Sequence, residues 1–320
     1  MESLNPYTGQ TFFGFFLQLI IRLWAFLRGE LGVEALATDE IQILVLMGVA
    51  SSTALLGSFL VLKKMTMLAN ALSHTILVGI VVAYVFAIGK ASNEPINIKT
   101  LVFASVVMGI VTTFLTEFLT KTAGLQEDAS IGIVFTSLFA LGVIAVTLLT
   151  RDAHIGTEVV MGNVDALQIG DCRLVFVILA GNLLLLLLFF KEFQVTTFDA
   201  GLAKTMGISP TLFNYLLMTQ VSATAIGAFR AVGVLMVLAF ITAPALTARL
   251  LTHDLKKMLA LAVGVGAAAS LIGVALSRHL LSAYGLALST SGIVVCLLGL
   301  CFILAIVLKF RTALNFVKTT

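Results

Sequence analysis

Long uninterrupted apolar runs, separated by short polar stretches, account for nearly the whole chain. They fall at about 41–62, 67–88, 101–119, 129–149, 174–190, 211–229, 232–250, 258–276 and 286–308. Each is long enough to cross a bilayer core of roughly 30 Å as a helix. The runs are continuous rather than alternating, so they do not read as the strands of a closed barrel. The pattern predicts nine spans in one all-α bundle. A further apolar run, 11–27, contains Arg22 and precedes the small-residue stretch Ala35-Leu36-Ala37. Residues 1–10 carry Glu2 and no basic residue, whereas a cleaved signal needs a basic start. This run is therefore expected to be an amphipathic interfacial helix or an additional span.

Composition agrees with a membrane chain. Of the 320 residues 60% are hydrophobic and 11% charged, against about 25% charged in soluble domains. A net charge of +3 is too small to point to nucleic acid. Lys and Arg are in excess on the side that carries the 191–210 loop, which makes that side cytoplasmic. Acids such as Asp39, Glu40 and Asp165 fall on the other side. Cys172, Cys296 and Cys301 are scattered, form no CxxC pair, and read as packed thiols. No soluble domain is visible. The chain divides into an N-terminal segment 1–40, a transmembrane domain 41–310 and a cytoplasmic tail 311–320.

Chemistry can lie only where polar residues interrupt the apolar runs. Asn70 and His74 are four residues apart, on one helix face and about 6 Å apart along the axis. Such a pair inside a span marks a pathway or a site. A neutral imidazole can ligate Mn, Fe or Zn, or it can bond a neighbouring helix carbonyl. Asn70 suits a weak ligand or an interhelical hydrogen bond. No P-loop, HExxH or nucleophile elbow is present, so no catalysis and no permanently bound cofactor is expected. The 191–210 loop, KEFQVTTFDAGLAKTMGISP, places Phe198, Leu202 and Met206 four residues apart. This spacing predicts one face of a short helix, with Asp199 near its start and Gly207 at its end. Pro244 predicts a kink in its span, and with Gly233 either close packing or a gating bend.

Four stretches carry a resemblance. GSFLVLKKMTMLANALSHTILVGI (57–80) and AVGVLMVLAFITAPALTARLL (231–251) are the most specific. QEDASIGIVFTSLFALGV (126–143) and FDAGLAKTMGIS (198–209) add to them. In this order the chain resembles the membrane permeases of bacterial ABC importers for zinc, manganese and iron chelates. Its long N-terminal segment is similar to chlamydial and spirochaete versions. The resemblance implies a type II importer architecture in the bacterial inner membrane, with alternating access driven by a separate ABC ATPase subunit. It also implies an extracytoplasmic metal-binding protein and a second permease chain. Phe198, Asp199, Ala200, Leu202, Ala203, Met206 and Gly207 would dock the ATPase. The family has Asp-Ala-Leu-Ser-His in its second span, and Asn70 stands here in place of the Asp. An amide is a weaker donor to a divalent cation than a carboxylate, which implies a non-identical partner chain holding the acid. The rival reading is an ion- or proton-coupled secondary transporter, with Glu117 and His74 as its relay. His154 is expected in a solvated outer loop, and His253 and His279 at headgroup level.

Overall fold

The computed structural model describes residues 5–67, 71, 75, 78, 79, 81, 98–149 and 162–319. Its helices are α1 (Phe12–Leu27), α2 (Thr38–Leu62), α3 (Ile98–Thr122), α4 (Glu127–Leu149), α5 (Ile169–Leu188) and α6 (Phe190–Phe198). They continue with α7 (Ala200–Thr205), α8 (Pro210–Val232), α9 (Val234–Leu251), α10 (Leu255–Tyr284) and α11 (Thr290–Thr319). Among the described residues there is no strand, so the all-α expectation holds. Among the described residues six helices are long and apolar enough to cross a membrane: α2, α5, α8, α9, α10 and α11 up to Arg311. The expected count of nine spans is not confirmed. The 67–88 run lies largely outside the described residues. The 101–119 and 129–149 runs do form helices, α3 and α4, of 25 and 23 residues, with several of their side chains outside the described residues.

The central element is α2, which packs against α5, α8, α9 and α10. It is apolar on every side, and 78% of its most hydrophobic window is buried. A helix with no polar face belongs inside a bundle or in lipid; here it is inside. By contrast α5 and α11, equally apolar, are only 17% buried and turn their leucines outward.

Three glycines set the closest approaches among the described residues. At Gly57 a Cβ would lie 1.9 Å from the Ile241 carbonyl oxygen, so α2 and α9 meet backbone to backbone in the turn before Pro244. Gly233 alone separates α8 from α9, with φ 83° and ψ 160°, a region essentially restricted to glycine. Its N–H donates to the Phe229 carbonyl at 2.8 Å. Gly162 rests on this joint so closely that a Cβ there would lie 2.1 Å from the Gly233 nitrogen. Hydroxyls inside the spans, among them Thr53, Ser58, Thr113 and Thr247, donate back to carbonyls one turn earlier, the usual way a small polar side chain is satisfied in an apolar helix.

Candidate functional site

At the lysine-rich end, α2 stops with Lys64 in the left-handed region (φ 60°). The Met65 N–H donates to the Leu60 carbonyl at 2.9 Å, and Lys63 Nζ donates to Asn214 Oδ1 of α8. At the same end the predicted docking loop proves to be two helices, α6 and α7. Asp199 breaks between them in extended backbone (φ −147°). Its carboxylate accepts from the Gly201 and Leu202 N–H groups, each at 2.9 Å, an N-cap that satisfies two orphan donors of α7. Gly207 (φ 78°) ends the element, and Pro210 opens α8 with Ser209 as its cap. Phe198 therefore closes one helix while Leu202 belongs to the next, so the three apolar residues do not share a single helix face. All three are still exposed, at 56%, 52% and 60%. Ala200 is exposed beside them, whereas Ala203 is fully buried and supports α7 from behind.

Within the spans, Asn182 of α5 donates to Ser52 Oγ of α2 at 2.6 Å and to Thr224 Oγ1 of α8 at 2.7 Å. One buried amide thus ties three helices together. One turn away on α8, Gln220 is 4% exposed, and neither its Nε2 nor its Oε1 has a hydrogen-bond partner among the described residues. An orphaned buried amide costs free energy and calls for a physical reason. Glu117 of α3 takes a 2.7 Å ion pair from Lys121 one turn on, so its charge is compensated locally.

The opposite end carries a charged clamp. Asp39, 2% exposed, accepts from Arg278 Nη2 at 2.6 Å and Nε at 2.9 Å, and from Asn5 Nδ2 at 2.6 Å. Glu40 accepts from the Tyr7 hydroxyl at 2.7 Å, from the Arg22 guanidinium and from the Ala37 N–H at 2.8 Å. Burial and the adjacent Glu40 carboxylate hold the Tyr7 phenol above its ordinary range, so it remains a donor. Beside the clamp lies a cavity of about 440 Å³, lined by Gln42, Asp165, Ser277, Arg278 and Thr290 among others. Thr290 Oγ1 donates to Asp165 Oδ1 at 2.7 Å across it.

A family model described as the ABC 3 transport family matches residues 40–309. The chain belongs to this family. Among relatives of this ABC 3 chain, a "Probable metal transport system membrane protein" of Chlamydia trachomatis is 40% identical over 307 residues, covering 96% of the chain and 95% of that protein. The manganese transport system membrane protein MntD of Bacillus subtilis is 34% identical, covering 81% of the chain and 87% of that protein. The fold is that of PsaBC from Streptococcus pneumoniae in complex with Fab, with a TM-score of 0.70 at 24% identity, over 86% of the chain and 92% of that one.

The residues singled out in sequence are distributed unevenly over this ABC 3 permease. Asn70 and His74 lie outside the described residues, as does His154. Their neighbour Thr75 is buried, and the Thr112 hydroxyl of α3 donates to it at 3.2 Å. Pro244 is buried inside α9, about three turns past Gly233 and just after the Ile241 carbonyl that meets Gly57. His253 is exposed at the α9–α10 turn. His279 is half-buried, with ring contacts to Phe12 and Tyr284, and so is packed against α1. Among the described residues no three His, Cys, Asp or Glu side chains converge as a metal cluster. Sequence reading missed the Asn182 tie, although a lone amide before six consecutive leucines was a visible signal. It also missed Asp39 and Glu40 as buried residues, because they read as part of an acidic outer face.

Proposed function

We infer that this chain is the membrane permease subunit of an ATP-driven importer that moves a divalent transition metal (manganese, iron or zinc) into the cytoplasm by alternating access. The family match over residues 40–309 carries the reading. Relatives named for zinc, iron and manganese transport, from Treponema pallidum, Haemophilus influenzae and Bacillus subtilis, support the class of cargo. The exposed Phe198, Ala200, Leu202 and Met206 offer the apolar surface on which a separate ATPase subunit docks. The expected setting is the bacterial inner membrane, with a second, non-identical permease chain and an extracytoplasmic binding protein. His74 and Asn70 are the proposed path residues, and Gly233 with Pro244 shape the helix that moves beside them. The Lys121 pairing of Glu117 disfavours a proton relay through that acid.

The test is metal uptake into proteoliposomes that hold the permease with its ATPase and binding protein. Uptake should require ATP, and His74→Ala should abolish or strongly reduce it while the complex still assembles. ATP-independent uptake by this chain alone would overturn the reading in favour of a secondary transporter. Undiminished uptake by H74A would remove His74 from the path.

A further inference from the structure

The N-terminal helix is tied down at two points. Near its start, the Phe12 ring lies 6.4 Å from the His279 ring of α10. Ten residues later, Arg22 pairs with Glu40 of α2 and donates to the Ala35 carbonyl at 2.8 Å. Those points are about 15 Å apart along α1 at 1.5 Å per residue. Their partners are nonetheless at one depth. Glu40 is next to Asp39 and His279 is next to Arg278, and Asp39 and Arg278 are bonded at 2.6 Å. A helix whose two ends meet neighbours at the same level, at the ends of α2 and α10, runs across those ends and not alongside them.

The outward face of α1 is a helical stripe of Phe13 (82% exposed), Leu17, Ile20, Trp24 and Leu27 (69%). Its inward face seats Phe15 in the core against Tyr7 and spends the one internal charge, Arg22, on Glu40. Arg28, just past the helix, stacks over Trp24 at 5.3 Å. An apolar stripe ending in Trp and Arg at the level where spans end has the chemistry of the boundary between acyl chains and headgroups.

We propose that α1 is a strap lying flat in the outer leaflet, its Phe13-to-Leu27 stripe in phospholipid, bolted across the outer ends of α2 and α10 with the N terminus outside. The partner of this face is lipid, and the assignment is independent of which ion is transported.

Two experiments on the full chain test it. In membranes, T8C and E30C are labelled with an impermeant maleimide against the background of the parent's three cysteines, with K204C as the inside control. The strap exposes both new thiols without permeabilisation; a spanning α1 would hide one of them, and that result would overturn the proposal. Trp24 is the sole tryptophan, so its fluorescence reports on α1 directly in phosphatidylcholine vesicles. Lipids brominated near the headgroup should quench the parent and the F13W/W24F variant equally, and more than lipids brominated near the chain ends. Quenching of the two positions at different depths, or of neither because protein covers the stripe, would overturn it.

Discussion

Replacing Gly57 by alanine tests the contact on which the α2–α9 arrangement depends. The added Cβ falls 1.9 Å from the Ile241 carbonyl oxygen and 2.8 Å from its carbon, where ordinary contact begins near 3.4 Å. The neighbour is helix backbone, so no side-chain rotation relieves the overlap and the helices must part. A gap of roughly 0.5–1 Å already forfeits a quarter to a half of each contact's attraction, and overpacked cores lose about 1–3 kcal/mol. The 1.9 Å overlap on helix backbone takes the upper end of that range, and alanine returns up to about 1 kcal/mol through helix propensity, leaving a net loss of about 2 kcal/mol. Gly264 of α10 is the control, because it is exposed and its Cβ would meet nothing within 4 Å; G264A should gain about 0.5–1 kcal/mol. In a thermal scan of the detergent-solubilised permease, G57A should melt at least several degrees lower and G264A slightly higher, since 1 kcal/mol is worth roughly 2–4 °C. Equal melting of the two variants would refute the backbone contact.

Asp39→Asn strands a mostly buried Arg278, 20% exposed at its side chain, and should cost about 3 kcal/mol; adding R278M should recover most of it, read as melting temperature across the double-mutant cycle. Gln220→Leu removes two unpartnered polar atoms and should raise stability by about 1–3 kcal/mol. If transport by that variant falls while its melting temperature rises, the amide takes its partner in another state of the cycle. Asp199→Ala deletes the α7 cap and about 1 kcal/mol of local stability, and should lower permease-stimulated ATP hydrolysis without preventing membrane insertion; unchanged stimulation would show that α7 does not dock.

Much of the bundle was legible because a membrane span needs only length and hydropathy, and both are local properties of the chain. The spans of α2, α8 and α9 could be read within three residues for that reason, whereas α5 begins five residues before the expected 174 and α10 runs eight past the expected 276. The Asp199 cap and the Gly207 stop were legible too, since capping depends on nearest neighbours. What could not be read was partnership at long range. Glu40 meets Arg22 and Tyr7, and Asp39 meets Asn5 and Arg278, across 18 to 239 residues. No pattern in the sequence distinguishes such acids from solvated loop charges. The split of Phe198 from Leu202 escaped for another reason. Their four-residue spacing suits a continuous helix, but Asp199 bonds the backbone N–H groups that follow it and starts a new one.

The Gly162–Gly233 joint has a mechanical meaning. With a single residue between α8 and α9, and a second backbone wedged against it, there is no loop to absorb a rotation of one helix relative to the other. α8 begins immediately after the Phe198-to-Gly207 element, and α9 carries Pro244 and leans on Gly57. A displacement applied at the Pro210 end of α8, a lever of about 35 Å by its 23 residues, must therefore emerge at the α2–α9 contact in the middle of the bundle. The closest backbone approach among the described residues and the surface proposed to dock the ATPase are two ends of one arm.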